Sequence, residues 1–246
     1  MSALDQSPAL APSSAPFAID GARVALERSL AERLAARVSC SLDEIAAFSS
    51  ASGALDAVAT QLFAGRRVVI ARPAGEAIAL RATNAAASVR EIAAQPLDGL
   101  IAAARDAEVL VLSSPVFDPR INDGRATATI SPRELLLLRS RAPRPVIVLD
   151  LLDEEFARTP LTQPALLLPG TIIVRGFGEL WRNAGATTAA ELAFVAGPRD
   201  LVELCVNAPC AAPLDASTIA RACADLDRAG VDRAVQAAAL AVRMAG

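Results

Sequence analysis

The 246-residue chain is 53% hydrophobic and only 3% aromatic, with a net charge of −3 and a pI near 5.2. That length allows a sizeable core of Ala, Leu, Val and Ile, and the acidic balance excludes the basic footprint that nucleic acid or an anionic membrane would attract. Mean hydropathy is +0.39, yet apolar runs such as Val109 to Leu112 and Leu135 to Leu138 fall far short of the ~18 residues a membrane span needs. Asp5 precedes any basic residue, and Pro8, Pro12 and Pro16 occupy the stretch where a secretory signal would be apolar, so the cytoplasm is the expected compartment.

Residues 1–18, rich in Pro, Ser and Ala, read as a flexible leader, and residues 19–246 as one body without an internal linker. Val24, Leu26, Leu30, Leu34 and Val38 recur at helical spacing, which predicts an amphipathic helix over 23–38. A short apolar run, 45–49, leads through small residues into a second helix over about 53–63. Strands and helices then alternate: strand 67–71, helix 75–85, strand 89–92, helix 97–104 and strand 109–113. Such alternation predicts a three-layer α/β/α fold around a mostly parallel sheet.

A loop over 115–130 carries the turn sequence Asn122-Asp123-Gly124. Ser131-Pro132-Arg133-Glu134 is a helix start, since Ser131 can cap, Pro132 suits the first turn and Glu134 can reach back to the cap amide. The buried strand 146–150 follows, then strands at 171–175 and about 189–195 and helices at about 198–206, 215–228 and 231–245. Cys40, Cys205, Cys210 and Cys223 are scattered, and without histidine they read as reduced core residues rather than zinc ligands.

All 24 basic residues are arginine, and histidine and tyrosine are absent too. The chain therefore lacks the tunable side-chain amine, the commonest acid-base imidazole and the nucleophilic phenol. Bias towards G and C in the genome would account for part of the lysine loss but does not remove histidine.

Five segments carry a resemblance. Ala31 to Leu55 is similar to a helix, strand and Gly-Ser-x-x-Ala phosphate turn, and Ala64 to Pro73 to a strand leading into a Pro-x-aromatic turn. Val109 to Pro115 resembles a strand ending in Asn-Pro, and Val146 to Asp150 with Glu155-Phe156 a strand ending in Asp-Glu-Ala-Tyr. Ile173 to Phe177 with Ala184-Gly185 matches the frame around a Schiff-base lysine. In this order the five resemble the large domain of fold-type I pyridoxal-phosphate (PLP) aminotransferases, on the histidinol-phosphate aminotransferase and threonine-phosphate decarboxylase branch.

What that resemblance implies for chemistry is loss. Gly178-Glu179 stands where the family has serine and the Schiff-base lysine, and Thr187 where it has the phosphate-binding arginine. The stacking aromatic falls at Gly75, the tyrosine at Asp153 and the asparagine near Phe117, while Asp150 keeps the place of the aspartate that pairs with the pyridine nitrogen. A dianionic phosphate needs amides and a cation, and the ring needs a π-face. No PLP is therefore expected. Ser50 to Gly53 retains amides at a helix start, without a matched cation in the sequence nearby.

The resemblance also implies a small domain beyond residue 246 that this sequence lacks, and a dimer built from large domains. The expectation is a non-catalytic pseudo-aminotransferase, working as a scaffold, regulatory or structural subunit, as a homodimer or beside an intact aminotransferase-like chain. Alternatives remain open: an enzyme with new acid-base chemistry, a small-molecule sensor, or an aminotransferase-like enzyme holding PLP non-covalently. Cleft candidates are Ser50, Ser52, Asp150, Asp153 and Glu179. Asp150 reads first as a carboxylate satisfied by loop amides and only then as a catalyst, and Asp153-Glu154-Glu155 reads as a solvated acidic turn. Glu179 reads as solvent-facing or paired with Arg175 or Arg182, and Trp181 as core or interface anchor.

Overall fold

A computed structural model describes residues 15–117, 126–127, 129–152, 154, 159–176, 192–210 and 214–228. Its elements in chain order are α1 (Ala15–Val38), β1 (Ile45–Phe48), α2 (Ala51–Val58), β2 (Arg67–Arg72), α3 (Glu76–Ala85), β3 (Ser88–Ala93), α4 (Leu97–Arg105) and β4 (Val109–Ser113). There follow β5 (Val116–Phe117), β6 (Ala126–Thr127), α5 (Pro132–Arg141), β7 (Val146–Asp150), α6 (Thr162–Leu166), β8 (Thr171–Gly176), β9 (Ala193–Ala196), α7 (Arg199–Val206) and α8 (216–228).

Seven strands form one sheet in the order β1-β9-β8-β7-β4-β2-β3, and β5 pairs with β6 in a separate two-stranded ribbon. The pairs β3–β2, β2–β4, β4–β7 and β7–β8 are parallel, and β9 runs antiparallel to both of its neighbours. This is the mostly parallel sheet that the alternating pattern predicts.

Strand side chains alternate between faces, so each central strand feeds two cores. Leu110 and Leu112 of β4, Ile147 and Leu149 of β7 and Ile173 of β8 join Leu30, Leu34, Leu100, Leu135, Ala165 and Ile219 on the face covered by α1, α4, α5, α6 and α8. Val109, Val111, Val148, Ile172 and Val174 join Leu55, Val58, Ile78, Val202 and Cys205 under α2, α3 and α7. Burial on both faces explains why these strands read as continuous apolar runs instead of alternating ones. Each fully buried Leu or Ile contributes roughly 1.5–3 kcal/mol of apolar transfer.

Several boundaries differ from the sequence expectation. α1 begins at Ala15, eight residues ahead of the predicted start, with Pro16 in its first turn, where a missing N–H costs no hydrogen bond. The ribbon β5–β6 lies in the segment read as loop, its strands too short to leave a periodic signal. α6 carries no sequence signal, because the amides of Leu161 and Thr162 at its start are held by Glu154, seven and eight residues upstream, and not by a local cap. The start of α5 matches expectation: Ser131 Oγ accepts from the Glu134 amide, and Glu134 accepts from the Ser131 amide at 2.8 Å.

Candidate functional site

In open α/β sheets, ligands bind outside the carboxyl ends of the strands, at the point where strand order reverses. Here the chain passes from β2 outward to β3 and then back across to β4, so the reversal lies between β2 and β4. The residues that follow these strands build the site.

Gly75, the N-cap of α3, donates its amide to Ser113 Oγ at 2.9 Å, which links the β2 side of the reversal to the β4 side. Ser113 Oγ in turn donates to Asp150 Oδ2 at 3.0 Å, and Asp150 Oδ1 accepts from the Leu152 amide at 3.3 Å. Thr129 joins in, its hydroxyl donating to the Ser113 carbonyl and its amide to Ser114 Oγ at 3.4 Å. Ser113, Ser114, Thr129 and Asp150 are all buried, Asp150 at 7% exposure. A Cβ built on Gly75 would lie 2.5 Å from Asp150 Oδ2 and 3.4 Å from Ser113 Oγ. The backbone at Gly75 (φ −57°, ψ 132°) suits any residue, so the carboxylate and not the backbone bars a side chain there.

The small-residue turn ahead of α2 is also engaged. Ser50 caps α2, its Oγ accepting from the Gly53 amide at 3.0 Å and its carbonyl from the Ala54 amide at 3.1 Å. No matched cation is expected beside this turn from the sequence, but Arg81 of α3 reaches it, donating to Ser52 Oγ at 2.6 Å and to Asp56 Oδ1 at 2.6 Å. Arg81 was illegible because it arrives 29 residues downstream, on a different helix. Its charge is already matched by Asp56.

Glu154 needs a second correction, since the acidic turn 153–155 was read as solvated. Glu154 is 3% exposed, with Arg175 Nη1 at 3.0 Å, and it accepts from the Leu161 and Thr162 amides and from the Thr162 hydroxyl. Arg175 also donates to Thr162 Oγ1 at 3.1 Å. Arg175, one of the two arginines offered as partners for Glu179, therefore pairs with Glu154. Asp153, Gly178, Glu179, Trp181, Arg182 and Thr187, the turn 122–124 and the helix expected at 231–245 lie outside the described residues, as does the side chain of Phe117.

Of the four cysteines, Cys205 and Cys223 are buried and Cys40 half-buried, whereas Cys210 is exposed and does not fit the core reading. Burial pushes the Cys205 thiol up to about 12 and the Cys40 thiol to about 11, which keeps both protonated and unreactive at neutral pH. No metal-binding group of three or more His, Cys, Asp or Glu occurs among the described residues, and no described helix is long and apolar enough to cross a membrane.

The element order and the single antiparallel strand β9 give the class of fold, that of the large domain of fold-type I aminotransferases, which the solved structures share. Among solved structures, the chain is similar to L-threonine-O-3-phosphate decarboxylase from Porphyromonas gingivalis, with TM-score 0.64 and 19% identity over 81% of this chain and 61% of that one. It is also similar to an aromatic aminotransferase from Pyrococcus horikoshii, with TM-score 0.61 and 21% identity over 85% and 63% of the two chains. N-Succinyldiaminopimelate aminotransferase from Mycobacterium tuberculosis gives TM-score 0.64 and 17% identity over 91% and 60%. The chain thus spans about 60% of the length of these structures. No protein-family model matches it, and no curated protein does.

Proposed function

We propose that this chain is a non-catalytic pseudo-aminotransferase that acts as a scaffold, regulatory or structural subunit, through a protein partner and without bound PLP. The observation that carries the reading is the bridge across the strand-order reversal, where Gly75, Ser113 and Asp150 bond to one another and Asp150 Oδ2 lies 2.5 Å from where a side chain at 75 would begin. A cofactor ring needs a π-face at that place, and glycine supplies none. The sequence contains no lysine for a Schiff base, and the cation beside the α2 turn is already paired with Asp56. These groups do not fit PLP.

A new acid-base role for Asp150 draws less support. Such a role calls for a carboxylate poised in an open pocket, and both Asp150 oxygens accept hydrogen bonds from the protein. A partner-binding role draws support from leucines on adjoining helices: Leu136 and Leu137 of α5 are exposed, as is Leu167, just after α6, at 82%. The partner fitting this reading is a second copy or an intact aminotransferase-like chain.

Two measurements test the proposal together. Protein purified with added PLP and then desalted is expected to show no visible absorption band and no borohydride-fixed adduct, while a tagged chain recovered at native expression is expected to bring down a stoichiometric protein companion. Stoichiometric retention of PLP would overturn the non-catalytic reading. Recovery as a lone monomer would overturn the subunit reading.

A further inference from the structure

The opposite edge of the sheet, where β2, β4 and β7 begin, holds a cleft with a different character. Two adjoining cavities of about 540 and 320 Å³ share Arg105, Asp106 and Arg144 in their walls, the larger adding Arg67, Ala107 and Glu108. Each arginine comes from a separate element: Arg67 opens β2, Arg105 closes α4 and Arg144 lies in the connection from α5 to β7. This convergence distinguishes the cleft from a charged run along one solvated helix face.

The charges do not cancel. Glu108 is committed to Arg67, accepting from its amide at 3.0 Å and lying 3.4 Å from its guanidinium, while Arg67 Nε donates to the Asp106 carbonyl at 3.3 Å. Arg105 spends only its Nε, on the Arg141 carbonyl at 3.1 Å, and Arg144 makes no ion pair or hydrogen bond with a described residue. Against these two guanidinium groups stands one carboxylate, Asp106, which opposes anion binding at its own end of the cleft.

A further positive charge lies behind the wall. Arg139 is buried and donates to the Pro143 and Pro145 carbonyls at 3.0 and 2.9 Å and to the Gly170 carbonyl at 2.9 Å. It has no carboxylate partner among the described residues, and its bonds fix the connection that carries Arg144. A buried uncompensated cation raises the local potential more than an exposed one, because less water screens it.

We infer that this cleft binds a small polyanion, bearing phosphate or carboxylate groups, through Arg105 and Arg144. The cleft is open and mostly polar, which suits a solvated anion rather than an apolar ligand, and guanidinium forks match the paired oxygens of phosphate and carboxylate alike. The site is remote from Asp150, at the other end of the same strands, and stands independently of the subunit proposal.

Isothermal titration of the full chain with pyrophosphate and, separately, with citrate tests the inference, at low and at physiological salt. Binding of at least one probe is expected, weakening as salt rises. The Arg105→Gln/Arg144→Gln variant is expected to bind about tenfold or more weakly, and Arg90→Gln, on the exposed edge strand β3, to bind as the parent does. Pyrophosphate alone would assign a phosphate ligand, and citrate alone a carboxylate. Absence of binding by either probe at about 10 mM would overturn the inference, as would equal affinity in parent and double variant, since the anion would then bind without Arg105 and Arg144. The substituted side chains are exposed, and an unchanged unfolding midpoint would show that the double variant is folded.

Discussion

The two edges of the sheet handle polar groups in opposite ways. At the carboxyl edge, Ser113, Thr129, Asp150, Glu154 and Arg175 find partners inside the protein, and the crevice at the strand-order reversal is bridged by the Gly75 amide. At the amino edge, Arg105 and Arg144 face an open cleft with one uncommitted carboxylate between them. Buried polar atoms must be satisfied, and one left without a partner costs about 1–3 kcal/mol, so buried groups at a strand end bond to one another or the fold loses stability. Exposed guanidinium groups carry no such constraint and can remain unpaired at little cost. Internal pairing therefore points to stability at the carboxyl edge, whereas the amino edge is free to serve a ligand.

Removing Glu154 should break this comparison most severely. Glu154→Ala would leave Arg175 and two amides without their acceptor, and a loss of about 3–5 kcal/mol is expected, a large part of a typical domain's 5–15 kcal/mol. Equilibrium denaturation in urea measures it, and a loss under about 1 kcal/mol would mean that water replaces the pair. Glu154→Gln, which keeps an acceptor, should cost less.

Next in size is Gly75→Ala, with about 1–3 kcal/mol expected, because the new Cβ displaces the Asp150 carboxylate from Ser113. Combined with Asp150→Ala it should be less harmful than the sum of the single changes, and strict additivity in that cycle would deny the contact. Smaller again, Arg105→Gln/Arg144→Gln should shift stability by no more than about 0.5 kcal/mol per site. A large loss there would make the amino edge structural, like its counterpart.

The last prediction lies outside both edges and serves as their control. Arg33 of α1 grips Asp227 of α8 through two bonds of 2.8 and 3.0 Å, and this hydrogen bonding holds the Asp227 carboxyl below its usual value. A lowered folded-state value means that the contribution is complete above the unfolded value of about 3.9 and disappears as pH falls through the folded one. Hydrogen-exchange protection factors along 216–228, taken relative to the intrinsic rate at each pH, should therefore fall below about pH 4, and Arg33→Gln should remove that step while leaving both edges unchanged.

The central strands were legible because each is apolar on both faces: Val109 to Ser113 and Val146 to Asp150 were bounded to the residue. Local capping chemistry made the start of α5 legible as well. What escaped was set by partners distant in sequence. Glu154 reads as one of three acids in a row until Arg175, 21 positions on, and the amides of α6 are brought against it. Arg81 likewise gives no local sign that it reaches the α2 turn. In the site, Gly75 and Asp150 stand out singly in the sequence, but their mutual closeness depends on how β2, β4 and β7 lie side by side. The amino-edge cleft carries no motif at all, since its three arginines come from three elements.

The antiparallel pairing of β1 with β9 has a consequence for synthesis. Ile45 to Phe48 bond only to Ala193 to Ala196, about 150 residues later, whereas β2, β3 and β4 find neighbours within a few dozen residues of one another. As the nascent chain emerges, the parallel centre of the sheet can assemble while β1 and the face of α1 packed on it still wait for their partner. During that interval β1 is an unpaired apolar edge, and an interruption before residue 196 would leave it exposed to other chains.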